Sequence, residues 1–285
     1  MSASATVWQT ARFRIDLSRP RVMGIVNATP DSFSDGGRYR DADAARAHCD
    51  ALVEQGVDIL DIGGESTRPG SVAPGVDEEL ARVLPVVRHA VTLGVPVSVD
   101  TSSPEVMRAV LAAGADIVND VRSLLRPGAL EAVAAHPTAG VCVMHMRGEP
   151  ATMQSLTDYD DVVAEVAGFL RERAAALEAA GIARERIAAD PGVGFAKTAA
   201  HNLELLARQR ELLDLQMPLL VGWSRKGTLG QLTGRPAGER LAASVAAALM
   251  AVERGARIVR VHDVGATVDA LKVWSAVACC RRPAA

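Results

Sequence analysis

Aromatic side chains are scarce in this chain: of 285 residues, four are Phe, three Trp and two Tyr. A core almost without rings must be filled by Val, Ile, Leu and Ala. A nucleic-acid surface, which needs stacking platforms and basic stripes, has little to be built from. An excess of one charge is missing too. Thirty-one Lys and Arg stand against 34 Asp and Glu, a formal net charge of −3, so bulk electrostatics selects no polyanionic partner. Cysteine is sparse: Cys49, Cys142, Cys279 and Cys280 never fall at C-x-x-C spacing, which removes a zinc ribbon and a disulfide framework. Residues 1–20 carry three Arg and no apolar stretch of the secretory kind. The longest apolar run, Leu241 to Val252, is interrupted by Ser244 and is shorter than the ~20 residues of a membrane span. The expectation is a soluble, cytoplasmic protein that engages neither membrane nor nucleic acid.

What the chain has in quantity is apolar sequence, 49% of its residues. That supports a large core and excludes global disorder. Six times a glycine precedes a short apolar run that ends in a polar group: Gly56-VDILDIGG, Gly94-VPVSVD, Gly114-ADIVND, Gly140-VCVMH, Gly181 ahead of Arg186-IAAD, and Gly255-ARIVRVHD. Each glycine fits the position after a helix, where a positive φ is wanted. The runs are rich in β-branched residues and do not alternate, as parallel strands buried on both faces do not. Val22-MGIV and Pro218-LLVG complete a set of eight.

Helical patterns separate the runs. Ser103-Pro-Glu before Val106 to Ala113 combines an N-cap, a first-turn proline and a first-turn acid. Asp158 to Ala180, Arg240 to Arg254 and Val264 to Ala278 read as further helices. Eight strands alternating with helices predict a (β/α)8 TIM barrel over residues 21–285, one domain after an N-terminal extension of residues 1–20. A doubly wound open sheet is the alternative.

The strand ends are polar. In order the runs stop at Asn27, Asp61, Asp100, Asn119 and Asp120, His145, Asp190, before Ser224-Arg225-Lys226, and at Arg260, His262 and Asp263. Any one of these is explained by a strand meeting solvent. Their recurrence is not, and in a barrel all of these ends converge on one mouth. Asp100, Asn119 and Asp190 offer acceptors to a flat, donor-rich ring such as an aminopyrimidine. Lys226, Arg260, His262 and Arg68 are cations suited to a phosphate or carboxylate, and Gly222, Ser224 and Gly227 mark a turn whose N–H groups favour anions. A zinc site at His145 and His262 lacks a third ligand at the right spacing. Two long glycine-bounded connections, Asn27 to Gly37 and Gly63 to Gly70, have the length of binding loops that close over substrate.

At these loops the sequence resembles the dihydropteroate synthase family. The motifs are Met23-GIVNATPDSFSDGG, Asp61-IGGESTRPG, Val97-SVDTSSPE, Ile117-VND, Val143-MHMRG, Ala189-DPGVGFAK, Val221-GWSRK and Ile258-VRVHD. They run in the family's order from Arg21 to Ala276, with small departures at Ala28, Ala196 and Trp223. The resemblance implies a (β/α)8 pterin-binding barrel that condenses a dihydropterin-methyl diphosphate with 4-aminobenzoate and releases diphosphate. It implies that Asp100, Asn119, Asp190 and Lys226 grip the pterin. Thr67, Arg260 and His262 would hold the diphosphate, with Mg²⁺ at Asn27. Arg68, Pro69, Phe195, Lys226 and Ser224 would surround the aminobenzoate. Asp35, Asp100, Asp190 and Lys226 would form the catalytic set, and a homodimer is the implied assembly. A corrinoid-linked methyltransferase would share the ring-gripping residues without needing the SRK and RVHD anion sites. A non-catalytic pterin-binding paralogue would have lost Asn27, Asp31, Asp35, Thr67 and Arg68, which are all present.

Overall fold

Runs that are apolar at every position must be covered on both sides, and closing them into a cylinder inside a ring of helices does so. The structure, a computed structural model, describes residues 6–28, 38–65 and 74–280. A short antiparallel hairpin, β1 (Val7–Gln9) and β2 (Arg14–Asp16), comes first. Eight parallel strands follow among the described residues: β3 (Arg21–Asn27), β4 (Ile59–Gly63), β5 (Val97–Asp100), β6 (Ile117–Asp120), β7 (Gly140–Met144), β8 (Ile187–Asp190), β9 (Leu220–Val221) and β10 (Ile258–Val261). Their order is β8-β7-β6-β5-β4-β3-β10-β9, and a parallel bridge from Ala189 to Leu219 joins the two ends. The barrel is closed and the open sheet is ruled out.

The helices are α1 (Arg38–Glu54), α2 (Val76–Ala90), α3 (Pro104–Ala112), α4 (Ala129–Ala134), α5 (Val162–Ala179), α6 (Ala199–Ala207), α7 (Gly227–Thr233), α8 (Leu241–Glu253) and α9 (Val264–Cys280). Ser103 caps α3 as its sequence predicts, its side chain accepting from Val106 N with Pro104 in the first turn. α5 starts later than the pattern at Asp158 suggests, because the Asp161 carboxylate accepts from Val163 N at 2.9 Å and Ala164 N at 3.0 Å and so fixes the N-terminus there.

Two features differ from expectation. Gly140 is not a helix cap; it opens β7 and has no positive φ, whereas the other five glycines do. A Cβ at Gly140 would meet Thr10 Cγ2 at 3.1 Å and Gln9 O at 3.2 Å, so glycine is there to let the hairpin approach. The hairpin itself lies within the supposed extension of residues 1–20. Its Trp8 and Ile15, with Leu17 just beyond, are buried against Met23, Ile59, Ile117, Ala188, Leu220 and Ile258 on the barrel floor. Trp8 Nε1 donates to the Arg186 carbonyl at 2.9 Å, so the ring is buried without an orphaned N–H.

Side-chain alternation along each strand now positions the site. Outward residues such as Val22, Leu60, Val97 and Val259 pack in one cluster with α1, α2, α3, α8 and α9, while Val118, Val141 and Ile187 pack on the helices of the other half. Inward residues at the floor are Met23, Ile59, Ile117, Ala188 and Ile258. Two residues further along the same faces stand Asp61, Asn119, Asp190 and Arg260, and four beyond Met23 stands Asn27. The barrel interior thus changes from apolar to ionic within one strand repeat.

Candidate active site

Arg260 organises this ionic layer. Its Nε donates to Asp61 Oδ2 at 2.6 Å and its Nη2 to Asp100 Oδ2 at 2.9 Å. Asp61 is fully buried and also accepts from Asn119 Nδ2 at 3.3 Å. That bond turns the Asn119 amide so that its oxygen, not its NH₂, is left for the mouth. Burial works against the guanidinium charge, but Asp61 and Asp100 outweigh it and hold the Arg260 pKa above its ordinary value. Burial pushes the Asp100 carboxyl up to about 7 against the pull of Arg260, with Asp61 adding to the rise. Asp190 is likewise raised, chiefly by burial; the Gly192 N–H bonded to its Oδ1 at 2.7 Å and the Lys226 charge oppose this.

Lys226 stands between β9 and α7 with Nζ 4.3 Å from the centroid of the Phe195 ring, a cation–π arrangement. Burial, with Arg260 adding to it, lowers its pKa to about 8. The turn that carries it is held from outside. Arg240 Nη1 donates to the carbonyls of Arg225 and Lys226 at 2.9 and 3.2 Å, and Arg225, at φ 59°, pairs with Asp263 at 2.6 Å.

His262 and Ser224 form a pair. Ser224 Oγ accepts from His262 N at 3.1 Å and lies 3.0 Å from His262 Nδ1. The hydroxyl hydrogen is therefore free for Nδ1, which leaves Nε2–H as the outward donor. Burial, then Arg260 and Arg225, lower the His262 pKa to about 4. This corrects the sequence reading of His262 as a cation: at neutral pH it is an uncharged imidazole. Ser224, expected beside the aminobenzoate, has its hydroxyl engaged by that imidazole.

Of the other expected site residues, Phe195 is buried below Lys226. Asn27 ends β3, half-buried at the rim. Asp31, Asp35, Thr67, Arg68 and Pro69 lie outside the described residues. His145 is a core residue, with its ring edge-on to Phe169 at 5.1 Å and Nδ1 2.9 Å from Lys197 Nζ. Among the described residues no three His, Cys, Asp or Glu side chains form a metal cage, and no helix is long and apolar enough to cross a membrane.

Two residues given no role from sequence are central here. Asp61 is a lone charge inside the run Ile59-Leu60-Asp61-Ile62, a signal of an interior partner. Lys197 is almost wholly buried, and only its place at the end of a Gly-rich turn hinted at this. Chemically the mouth can grip a planar ring through Asp190, the Asn119 oxygen and Lys226. Beside that ring it offers Arg260 and the His262 Nε2–H to an anion.

A barrel whose interior turns ionic at the strand ends, with ring-gripping acceptors beside a guanidinium, matches one group of known proteins. The sequence profile of the pterin binding enzymes matches residues 23–262, and the chain belongs to this family. It is 53% identical over 277 residues to the dihydropteroate synthase of Neisseria meningitidis serogroup B, covering 95% of this chain and 97% of that one. Xanthomonas albilineans dihydropteroate synthase, solved with 4-aminobenzoic acid, superposes with a TM-score of 0.91 at 53% identity, covering 99% of this chain and all of that one. The same enzyme in complex with 7,8-dihydropteroate gives 0.88 at 51% identity, covering 97% and 100%.

Proposed function

We infer that the chain is a dihydropteroate synthase of folate biosynthesis, joining (7,8-dihydropterin-6-yl)methyl diphosphate to 4-aminobenzoate with release of diphosphate. The observation that carries this is the joint placement of Asp190, Asn119 and Lys226 with the Arg260 fork at the mouth. An aminopyrimidine edge presents two N–H donors side by side, which suits the Asp190 carboxylate, and the Asn119 oxygen takes a further donor. Lys226 donates to the ring's acceptors.

The C–O bond to the diphosphate breaks first, and its electron pair leaves with the anion. Arg260 and the His262 Nε2–H stabilise the charge that develops there. Asp100, beside the fork, faces the methylene cation conjugated with the ring and stabilises it in its ionised form. The arylamine is uncharged at neutral pH, attacks that carbon and then loses a proton, so no strong base is needed. Phe195 and Lys226 form one wall of the arylamine pocket, with Ser224 near its carboxylate end, and Arg68 and Pro69 are assigned to the same substrate. Thr67 is assigned to diphosphate binding and Asp35 to the catalytic set.

Mg²⁺ fits this donor set. The Asn27 carboxamide at the end of β3 offers the hard oxygen donor that Mg²⁺ prefers, and this residue would hold the ion together with the substrate's own oxygens. When bound, it supplies Lewis-acid neutralisation of the leaving diphosphate. The protein is assigned to the cytoplasm and to a homodimer. Leu241, Met250, Val273 and Val277, exposed along α8 and α9, support a second copy at that face, which light scattering on the purified protein tests.

The decisive assay follows diphosphate release with both substrates, each alone, and with EDTA. Release that needs both substrates and stops on chelation is expected. No release with both present overturns the reading.

A further inference from the structure

The buried amine of Lys197 takes part in none of the steps above, yet it is only 4% exposed. Four acceptors surround Nζ: His145 Nδ1 at 2.9 Å, Phe195 O at 2.9 Å, Gly192 O at 3.1 Å and His145 O at 3.3 Å. Two belong to the end of β7 and two to the turn after β8. Burial lowers the Lys197 pKa to about 7, and charged or neutral its N–H groups supply the donors that a cluster of carbonyls requires.

That turn needs such a brace. Gly192, Gly194 and Ala196 have φ of 71°, 82° and 51°, so the chain alternates in and out of the left-handed region. For Ala196, which carries a Cβ, that conformation is strained. The carbonyls of Gly192 and Phe195 both face Lys197 Nζ, and Gly192 O also accepts from Phe195 N at 3.1 Å, so the amine and the turn's own bond meet at Gly192. The approach is close: a Cβ on Gly192 would fall 1.9 Å from His145 O. Other ties reach the turn at its flanks, Asn202 Oδ1 to Gly194 N at 2.8 Å and Tyr159 OH to Ala196 O at 3.0 Å. Lys197 alone among the described side chains bonds the backbone of Phe195 itself.

We propose that Lys197 is a positioning residue for recognition of the arylamine substrate: it pins Phe195 O and Gly192 O to the end of β7 and so fixes the Phe195 ring beneath Lys226. The proposal rests on the reading of Phe195 as a wall of the aminobenzoate pocket. Lys197 touches neither substrate; it acts through the turn.

The test is a double-mutant cycle of Lys197→Met and Phe195→Ala in steady-state turnover, with KM determined separately for 4-aminobenzoate and for the pterin diphosphate. Lys197→Met is expected to raise KM for aminobenzoate at least tenfold and to leave KM for the pterin diphosphate within twofold. In the Phe195→Ala background it should add less than twofold. A purely structural lysine would lower kcat per milligram and leave both KM values in place; that result overturns the proposal, as do additive effects in the cycle. Lys197→Arg, which keeps donors, should recover most of the lost aminobenzoate affinity. If Lys197→Met does not fold, Lys197→Gln is read against the same criteria. An inactive wild-type protein would sink the functional reading, whereas an active one with unmoved KM values would sink this proposal alone.

Discussion

Replacing Arg260 by methionine removes the guanidinium while keeping much of its stem volume, so it isolates what the ion-pair fork contributes. In the intact protein Asp61 is 0% and Asp100 8% exposed, and Arg260 is the partner of both, at 2.6 and 2.9 Å. Breaking a buried pair by removing one partner costs about 3–5 kcal/mol, because the other charge is left uncompensated in a medium that solvates it poorly. Here two carboxylates are stranded. The loss is limited by protonation, and that makes it depend on pH. Asp100 already has a folded-state pKa near 7, above the ~3.9 of an unfolded aspartate. Its contribution therefore favours the folded state at low pH and is lost as pH rises through about 7. Without Arg260 the folded pKa climbs further, and each added unit costs about 1.4 kcal/mol once the pH exceeds it. Urea unfolding of Arg260→Met should show a loss of about 3–5 kcal/mol near pH 8, with less than half of that near pH 5.5. Adding Asp61→Asn should restore a substantial part at pH 8, since an amide at that position can still accept from Asn119. A loss below about 1 kcal/mol at pH 8, or one equal at both pH values, would refute the view that Arg260 neutralises buried carboxylates.

Three further outcomes are expected. Asp190→Asn should weaken binding of the pterin diphosphate by about 1–3 kcal/mol, the cost of leaving a buried polar ligand group without its partner; calorimetry on the folded variant measures it. The pH profile of kcat/KM should rise through about 7, as Asp100 ionises, and fall through about 8, as Lys226 loses its proton. Lys226→Met should remove the alkaline limb and Asp100→Asn the acid one. Finally, 4-aminobenzoate carries a single carboxylate and should bind measurably only with Mg²⁺ and diphosphate present, a coupling of ~1–3 kcal/mol, and equal affinity with and without diphosphate in one titration series would contradict it.

The barrel was legible because its evidence is local. Apolar runs buried on both faces, glycines at positive φ after helices and capped helix starts such as Ser103-Pro104 are all written within a few residues. The polar strand ends were legible for the same reason, since alternation carries Ile59 to Asp61 and Ile117 to Asn119. What stayed hidden is set by contacts distant in sequence. Arg260 lies 199 residues from Asp61, and no spacing rule reports that these two meet. His262 reads as a cation in sequence because imidazole titrates near neutrality; burial beside Arg260 is what makes it neutral. Gly140 looks like its five counterparts until the hairpin is seen against it. The hairpin strands, three residues each, are too short to show a period. For Asp35, Thr67, Arg68 and Pro69 the sequence is the whole of the argument.

Charge balance explains how such a mouth works with a diphosphate. Among the described residues the ionic layer holds three carboxylates, Asp61, Asp100 and Asp190, and two cations, Arg260 and Lys226. Two of the Arg260 nitrogens are committed to carboxylates, and His262 is neutral. This set does not attract a polyanion by itself. It suits the ring, whose donors meet Asp190 and the Asn119 oxygen, and a developing cation, which meets Asp100. The diphosphate end therefore needs added countercharge, which the proposed Mg²⁺ at Asn27 would supply. Such a division has a chemical use. A mouth strongly positive at rest would hold diphosphate tightly both before and after the reaction and so slow its release. In a near-neutral mouth the diphosphate meets no large standing positive charge, and the fixed carboxylates stay beside the carbon that the arylamine attacks.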